Sequence, residues 1–103
     1  MNLYIDTSDS EKLVIGLGGQ KWETEARKNK SQILLSLIDE KLKELKKNPK
    51  DLTEIEVNLG PGSFTGLRVG ISVANTMGWI LNIPVNHKNI SHKNFVEPIY
   101  VRT

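Results

Sequence analysis

The sequence contains no cysteine. This excludes disulfides and thiolate metal sites and agrees with a reducing compartment. No apolar run approaches the length of a membrane span, and Met1 passes straight into a strand-like Leu3-Tyr4-Ile5 with no basic region ahead of a long apolar stretch. Neither a signal peptide nor a membrane contact is expected, and the cytoplasm is the expected location. The Asn29-Lys30-Ser31 and Asn89-Ile90-Ser91 sequons are then incidental. Charge of one sign is scarce too. A net charge of +2 is too small to point to nucleic acid. Its excess lies where Lys41, Lys43, Lys46, Lys47 and Lys50 face only Glu40 and Glu44, which reads as a solvated helix end with lysines placed to suit the dipole, or as a shallow contact for nucleic-acid phosphates. His87 and His92 have no identifiable third ligand and no His-x-x-x-His pair exists, so no metal site is expected.

What is present describes one globular domain of 103 residues, with 38% hydrophobic and 25% charged residues. Residues 2–6 read as a strand ending in the polar turn Asp6-Thr7-Ser8. Lys12–Leu17 reads as a second strand, Gly18-Gly19 as a hairpin turn, and Gln20–Ala26 as a third strand alternating Trp22, Thr24 and Ala26 against Lys21, Glu23 and Glu25. From Ser31 to Lys47 the period becomes helical through Ile33, Leu34, Leu37, Ile38, Leu42 and Leu45, with Leu35 off the stripe, until Asn48-Pro49 stops it. Thr53–Leu59 is a fourth strand, Thr65–Leu81 a second helix, and Asn82–Val85 a short last strand. Residues 86–94 read as a polar loop and 95–102 as strand-like around Pro98. This order predicts an α/β fold: a five-stranded mixed sheet, with a three-strand antiparallel meander plus parallel strands, and two main helices.

The most specific segment is Gly60-Pro61-Gly62-Ser63-Phe64-Thr65-Gly66-Leu67-Arg68-Val69-Gly70, placed between a strand and a helix. Glycines there permit a tight turn whose outward amides could cradle a phosphate, and Ser63 or Thr65 can cap the helix. No Gly-Lys-Ser/Thr follows, and the segment does not follow the first strand, so spacing alone favours a tight turn beneath a close-packed helix. Arg68 opposes the helix dipole in the first turn and calls for an anion, either an internal carboxylate or an acidic group on a partner. Gly66, Gly70, Ala74 and Gly78 recur every four residues and line one groove of the helix. Each glycine costs up to about 1 kcal/mol relative to alanine in a helix. The groove therefore takes either the domain's own sheet or a helix of another chain, with Leu67, Met77 and Trp79 near it. Two broadly apolar helices exceed what one side of a small sheet covers, and an interface is expected.

Gly60–Gly70, preceded by Glu54–Leu59 and followed by a helix ending in Asn82-Ile83-Pro84-Val85, resembles proteins of the TsaB (YeaZ-like) family of tRNA threonylcarbamoyladenosine biosynthesis. Leu3-Tyr4-Ile5-Asp6-Thr7-Ser8 resembles the family's opening strand and turn, and Ser31-Gln32-Ile33-Leu34-Leu35 the start of its first helix. The resemblance implies a single actin-like, ribonuclease-H-like lobe. It also implies a non-catalytic subunit that binds the threonylcarbamoyltransferase TsaD through its two helices as a heterodimer, with the ATPase TsaE joining, tRNA reached only through the complex, and homodimers formed by free copies. Carried to this chain, the partner-binding residues are Ile33, Leu34, Leu37, Gly66, Leu67, Arg68, Gly70, Ala74, Met77 and Gly78. Typical members carry a second lobe; here Val85 passes through a short polar loop into Phe95–Arg102, which resembles the family's far C-terminal segment, as if the second lobe were missing and its ends rejoined. Without a cleft, Asp6, Gly60, Gly62 and Ser63 are expected to be at most a vestigial phosphate loop, with no cofactor. Lys30 stands where many members have a His. The competing functional class is a small peptidase-like or phosphotransferase enzyme, against which stands the lack of a paired nucleophile and base. A direct tRNA binder is the third.

Overall fold

The computed structural model describes residues 1–91 and 94–98. Strand β1 (Asn2–Asp6) buries Leu3 and Ile5 completely and turns Tyr4 and Asp6 to the other face, the alternation a half-covered strand requires. Strands β2 (Lys12–Leu17) and β3 (Gln20–Glu25) form an antiparallel hairpin in which Leu17 pairs with Gln20. Gly18 and Gly19 carry it at φ 55° and 91°, left-handed values at both turn positions that glycine adopts without strain. Strand β4 (Glu54–Val57) lies parallel to β1, with Leu3 opposite Ile55 and Ile5 opposite Val57. The sheet order is β3-β2-β1-β4.

Helices α1 (Lys30–Glu44) and α2 (Phe64–Leu81) pack on each other, α1 against β2 and α2 against β1 and β4. The core fills the layer between with Leu34, Ile38 and Leu42 of α1, Leu67, Ile71 and Ala74 of α2, and the inward residues of the strands. Helix α1 ends three residues earlier than its apolar period suggests. Lys46 takes a left-handed φ of 57°, its amide bonds the carbonyl of Lys43, and that of Lys47 bonds the carbonyl of Leu42, a Schellman closure. Two of the lysines near this end meet acids of the helix itself: Lys41 meets Glu44 at 3.2 Å and Lys43 meets Asp39 at 2.9 Å. No helix among the described residues is long and apolar enough to cross a membrane.

Among the described residues the sheet has four strands and not the five predicted. Asn82–Val85 contributes only Val85, which forms a single parallel bridge to Ile55 and a second bridge to Lys88. The chain turns away at Asn86 (φ 50°), whose side-chain amide takes the place of a further strand residue. Its Oδ1 accepts from the Val57 amide at 2.9 Å and its Nδ2 donates to the Val57 carbonyl at 3.0 Å. With Ile55 bonded to the backbone of Pro84 and Asn86, the edge of β4 is saturated without a strand. Residues 95–98, predicted as strand-like, form no strand, and the rest of that expected segment lies outside the described residues.

The small-residue row of α2 faces inward. Thr7, fully buried, donates its hydroxyl to the Gly66 carbonyl and accepts from the Gly70 amide at 3.0 Å, so it bridges two backbone groups one helical turn apart. A Cβ on Gly66 would collide with the Thr7 carbonyl oxygen, one on Gly70 would meet the Thr7 hydroxyl at 2.5 Å, and one on Gly78 the Val85 side chain at 2.5 Å. Close approach to the domain's own sheet therefore offsets the helical cost of these glycines.

Gly70→Ala is expected to destabilise the fold by about 1–3 kcal/mol through overpacking, read as a lower urea midpoint. Asn86→Ala is expected to cost about 1–3 kcal/mol by leaving the Val57 amide and carbonyl unpaired. It should also raise light scattering through the opened β4 edge, whereas Asn89→Ala, at an exposed position, should do neither.

Candidate functional site: the glycine turn and the outer face of α2

The turn from β4 to α2 is knotted to the end of β1. Asp6 Oδ1 accepts from the Ser8 amide at 2.9 Å, the Ser8 hydroxyl at 2.6 Å and Asn58 Nδ2 at 3.2 Å, while Tyr4 donates its hydroxyl to Oδ2 at 3.3 Å. Asn58 Oδ1 in turn accepts from the Gly60 amide at 2.9 Å, and the Ser63 amide donates to the Ser8 carbonyl at 2.7 Å. Ser63 is the N-cap of α2, its hydroxyl accepting from the Gly66 amide at 3.2 Å. Gly62 lies so close to Ser8 that a Cβ would come within 2.6 Å of the Ser8 Cβ. Gly60 holds φ 117° ahead of a cis Gly60-Pro61 bond.

The sequence thus groups Asp6, Gly60, Gly62 and Ser63 in the right place. Their polar groups, however, serve one another: the amides of Gly60 and Ser63, which a phosphate cradle would aim outward, are taken by Asn58 and Ser8. The geometry matches the capped turn. Burial pushes the Asp6 carboxyl upward, but the hydrogen bonds from Ser8, Asn58 and Tyr4 outweigh it and hold the group below its ordinary value. Tyr4 is raised by burial and by the neighbouring Asp6 and Glu56 carboxylates.

On α2 the residues expected to meet a partner separate into two sets. Leu67 and Ala74, like Leu34 of α1, are at most 1% exposed, and Gly66, Gly70 and Gly78 are buried. These six are buried in the core of the chain. Ile33, Leu37 and Met77 are half-buried and Arg68 is exposed. Arg68 answers its unfavourable place in the helix not with a carboxylate but with an aromatic face, its guanidinium lying 5.4 Å from the Phe64 ring centroid. The accessible apolar groups are others: Phe64, Trp79 and Ile80 on α2, Leu35 on α1, and Phe95. Leu35 was legible as the leucine off its stripe. Phe64 and Ile80 lie outside the small-residue row and gave no such sign.

Beside this face runs a groove of about 380 Å³. Arg68, Ile71, Asn75 and Trp79 line it from α2, and Phe95 and Val96 line it from the segment opposite. His87 is exposed and 3.9 Å from Glu54, and His92 lies outside the described residues.

Because the Asp6 carboxyl is depressed in the fold, its contribution to stability is complete above its unfolded pKa of about 3.9 and is lost as pH falls through the folded value. A carboxyl NMR titration should place its midpoint below about 3.9. Ser8→Ala should move that midpoint upward, and Asp6→Asn should remove this part of the acid sensitivity.

Comparison with known proteins agrees with this architecture. Residues 22–92 match the family model described as TsaD: tRNA N6-adenosine threonylcarbamoyltransferase. The chain is 38% identical over 63 residues to the tRNA threonylcarbamoyladenosine biosynthesis protein TsaB of Bacillus subtilis, covering 61% of this chain and 28% of that protein. It is 40% identical over 73 residues to the tRNA N6-adenosine threonylcarbamoyltransferase of Persephonella marina, covering 68% and 21%. Among solved structures, YeaZ from Pseudomonas aeruginosa superposes with a TM-score of 0.68 at 26% identity, covering 82% of this chain and 41% of that one. A crystal structure from the same organism, described as having similarity to peptidase YEAZ, gives the same TM-score. The chain spans about a quarter of the curated relatives' length. With more than half of its residues under one family model and its fold shared with YeaZ, the chain belongs to the TsaD family, as a TsaB/YeaZ-like member.

Proposed function

We propose that this chain is a non-catalytic binding subunit of tRNA threonylcarbamoyladenosine modification in the cytoplasm. It presents α1 and α2 to a TsaD-type protein as a heterodimer. The lobe is read as actin-like (ribonuclease-H-like), with β1 central and the two helices on one face. TsaE joins through the complex, tRNA is reached through the partner, and free copies pair through the same face. The observation that carries the reading is the outward side of the helices. Phe64, Trp79 and Ile80 are more than half exposed on α2 and Leu35 is 49% exposed on α1, in a family whose members include the transferase itself. An aromatic, an arginine stacked on another aromatic, and aliphatic flanks are the groups that anchor protein interfaces. The contact set accordingly becomes Leu35, Phe64, Arg68, Trp79 and Ile80, with Ile33, Leu37 and Met77 at its margins. The buried glycines contribute by holding α2 in place.

An enzyme reading finds less support. The Ser63 hydroxyl, the nucleophile nearest the turn, is spent as the helix cap, and Asp6 is engaged by Ser8, Asn58 and Tyr4.

The test is binding to the TsaD-type protein of the same organism. Wild type should co-purify with it. Ile80→Glu and Trp79→Ala should each weaken the complex by about 30-fold, the scale of an interface hot spot, with unchanged thermal unfolding. Lys47→Ala, on an exposed stretch away from this face, should leave it unchanged. Failure of the wild-type chain to bind would overturn the reading.

A further inference from the structure

Residues Asn94–Pro98 lie beside α2, held by the same kind of side-chain amide pairing that Asn86 makes with Val57. Asn75, on an interior turn of α2, donates Nδ2 to the Val96 carbonyl at 2.9 Å and accepts the Val96 amide on Oδ1 at 3.0 Å. One side-chain amide thereby forms both bonds that an opposing strand residue would supply. The near end of the segment is tied elsewhere: Ser91 and Asn94 exchange backbone bonds of 2.8 and 3.2 Å, and Lys88 donates to the Phe95 carbonyl at 3.1 Å. Val96 is 6% exposed, whereas Phe95 beside it is 44% exposed. Two hydrogen bonds between Asn75 and Val96 thus tie the segment to α2, and the groove of about 380 Å³ lies beside them.

The ground it occupies overlaps the proposed partner face. Arg68, Thr76 and Trp79 border the groove, and all three are exposed on α2. Packed helices lie 8–10 Å apart axis to axis, so a helix laid over these residues runs into the extended segment. We propose that residues 94–98 are an intramolecular strap that occludes one flank of α2 and that a TsaD-type partner displaces by breaking the Asn75–Val96 pair. This rests on the docking face proposed above. Apparent affinity is then the intrinsic affinity scaled down by the fraction of molecules whose strap is off, and it rises as that fraction rises.

Val96→Pro tests this without altering α2, because it removes the amide that Asn75 accepts. Asn75→Ala removes both bonds from the helix side. In the full chain, Asn75→Ala should bind the TsaD-type protein about tenfold more tightly than wild type, the scale of two net hydrogen bonds, and Val96→Pro, which removes one of them, about threefold. In wild type, the Val96 amide should lose hydrogen-exchange protection when partner is added. Binding by wild type with unchanged or weaker binding by both variants, or Val96 protection kept in the complex, overturns the strap and leaves the docking face standing. Binding by the variants alone supports both proposals, and binding by none of the three overturns both.

Discussion

The architecture depends on one buried hydroxyl. Thr7, just past the end of β1, bridges the Gly66 carbonyl and the Gly70 amide of α2. To do so the helix backbone must lie almost on the strand end, at a distance no side chain on residues 66 or 70 would permit. That approach fixes where α2 starts. The same chain end then carries Ser8 into the glycine turn, where it binds Asp6 and receives the Ser63 amide. β1, the turn and the first two helical turns of α2 behave as one piece. A buried polar group is tolerated there because its donor and its acceptor are both used.

Seating α2 inward so tightly has a consequence on its outside. A helix whose small residues face the sheet places its larger ones elsewhere, and Phe64, Trp79 and Ile80 remain in contact with solvent. Small residues and exposed aromatics are two sides of one packing solution. The glycine row sets by position which side chains α2 turns to solvent.

Two asparagine side chains do work that strands do in larger sheets. Asn86 closes the edge of β4 by pairing with Val57, and Asn75 pairs with Val96 on the far flank of α2. A carboxamide carries one acceptor and an amine donor in nearly the spacing of a backbone unit. It satisfies a single residue of extended chain without needing a partner strand. Closing edges in this way suits a short chain, since it asks for one side chain where a strand asks for several residues.

Much of this was legible in the sequence because it is local. The Leu3/Ile5 alternation, the Gly18-Gly19 hairpin, the helical period from Ile33 to Leu45 and the Ser63 cap each rest on neighbours within a few residues. The Gly60–Gly70 pattern carried the family. Tertiary structure alone decided the rest. Whether Gly66, Gly70 and Gly78 faced a sheet or a foreign helix depended on Thr7 and Val85. Arg68 found Phe64 one turn away on the same helix instead of a carboxylate, and the fifth strand shrank to Val85 because Asn86 turned the chain. A four-residue spacing specifies a groove, but only residues brought from far along the chain determine what fills it.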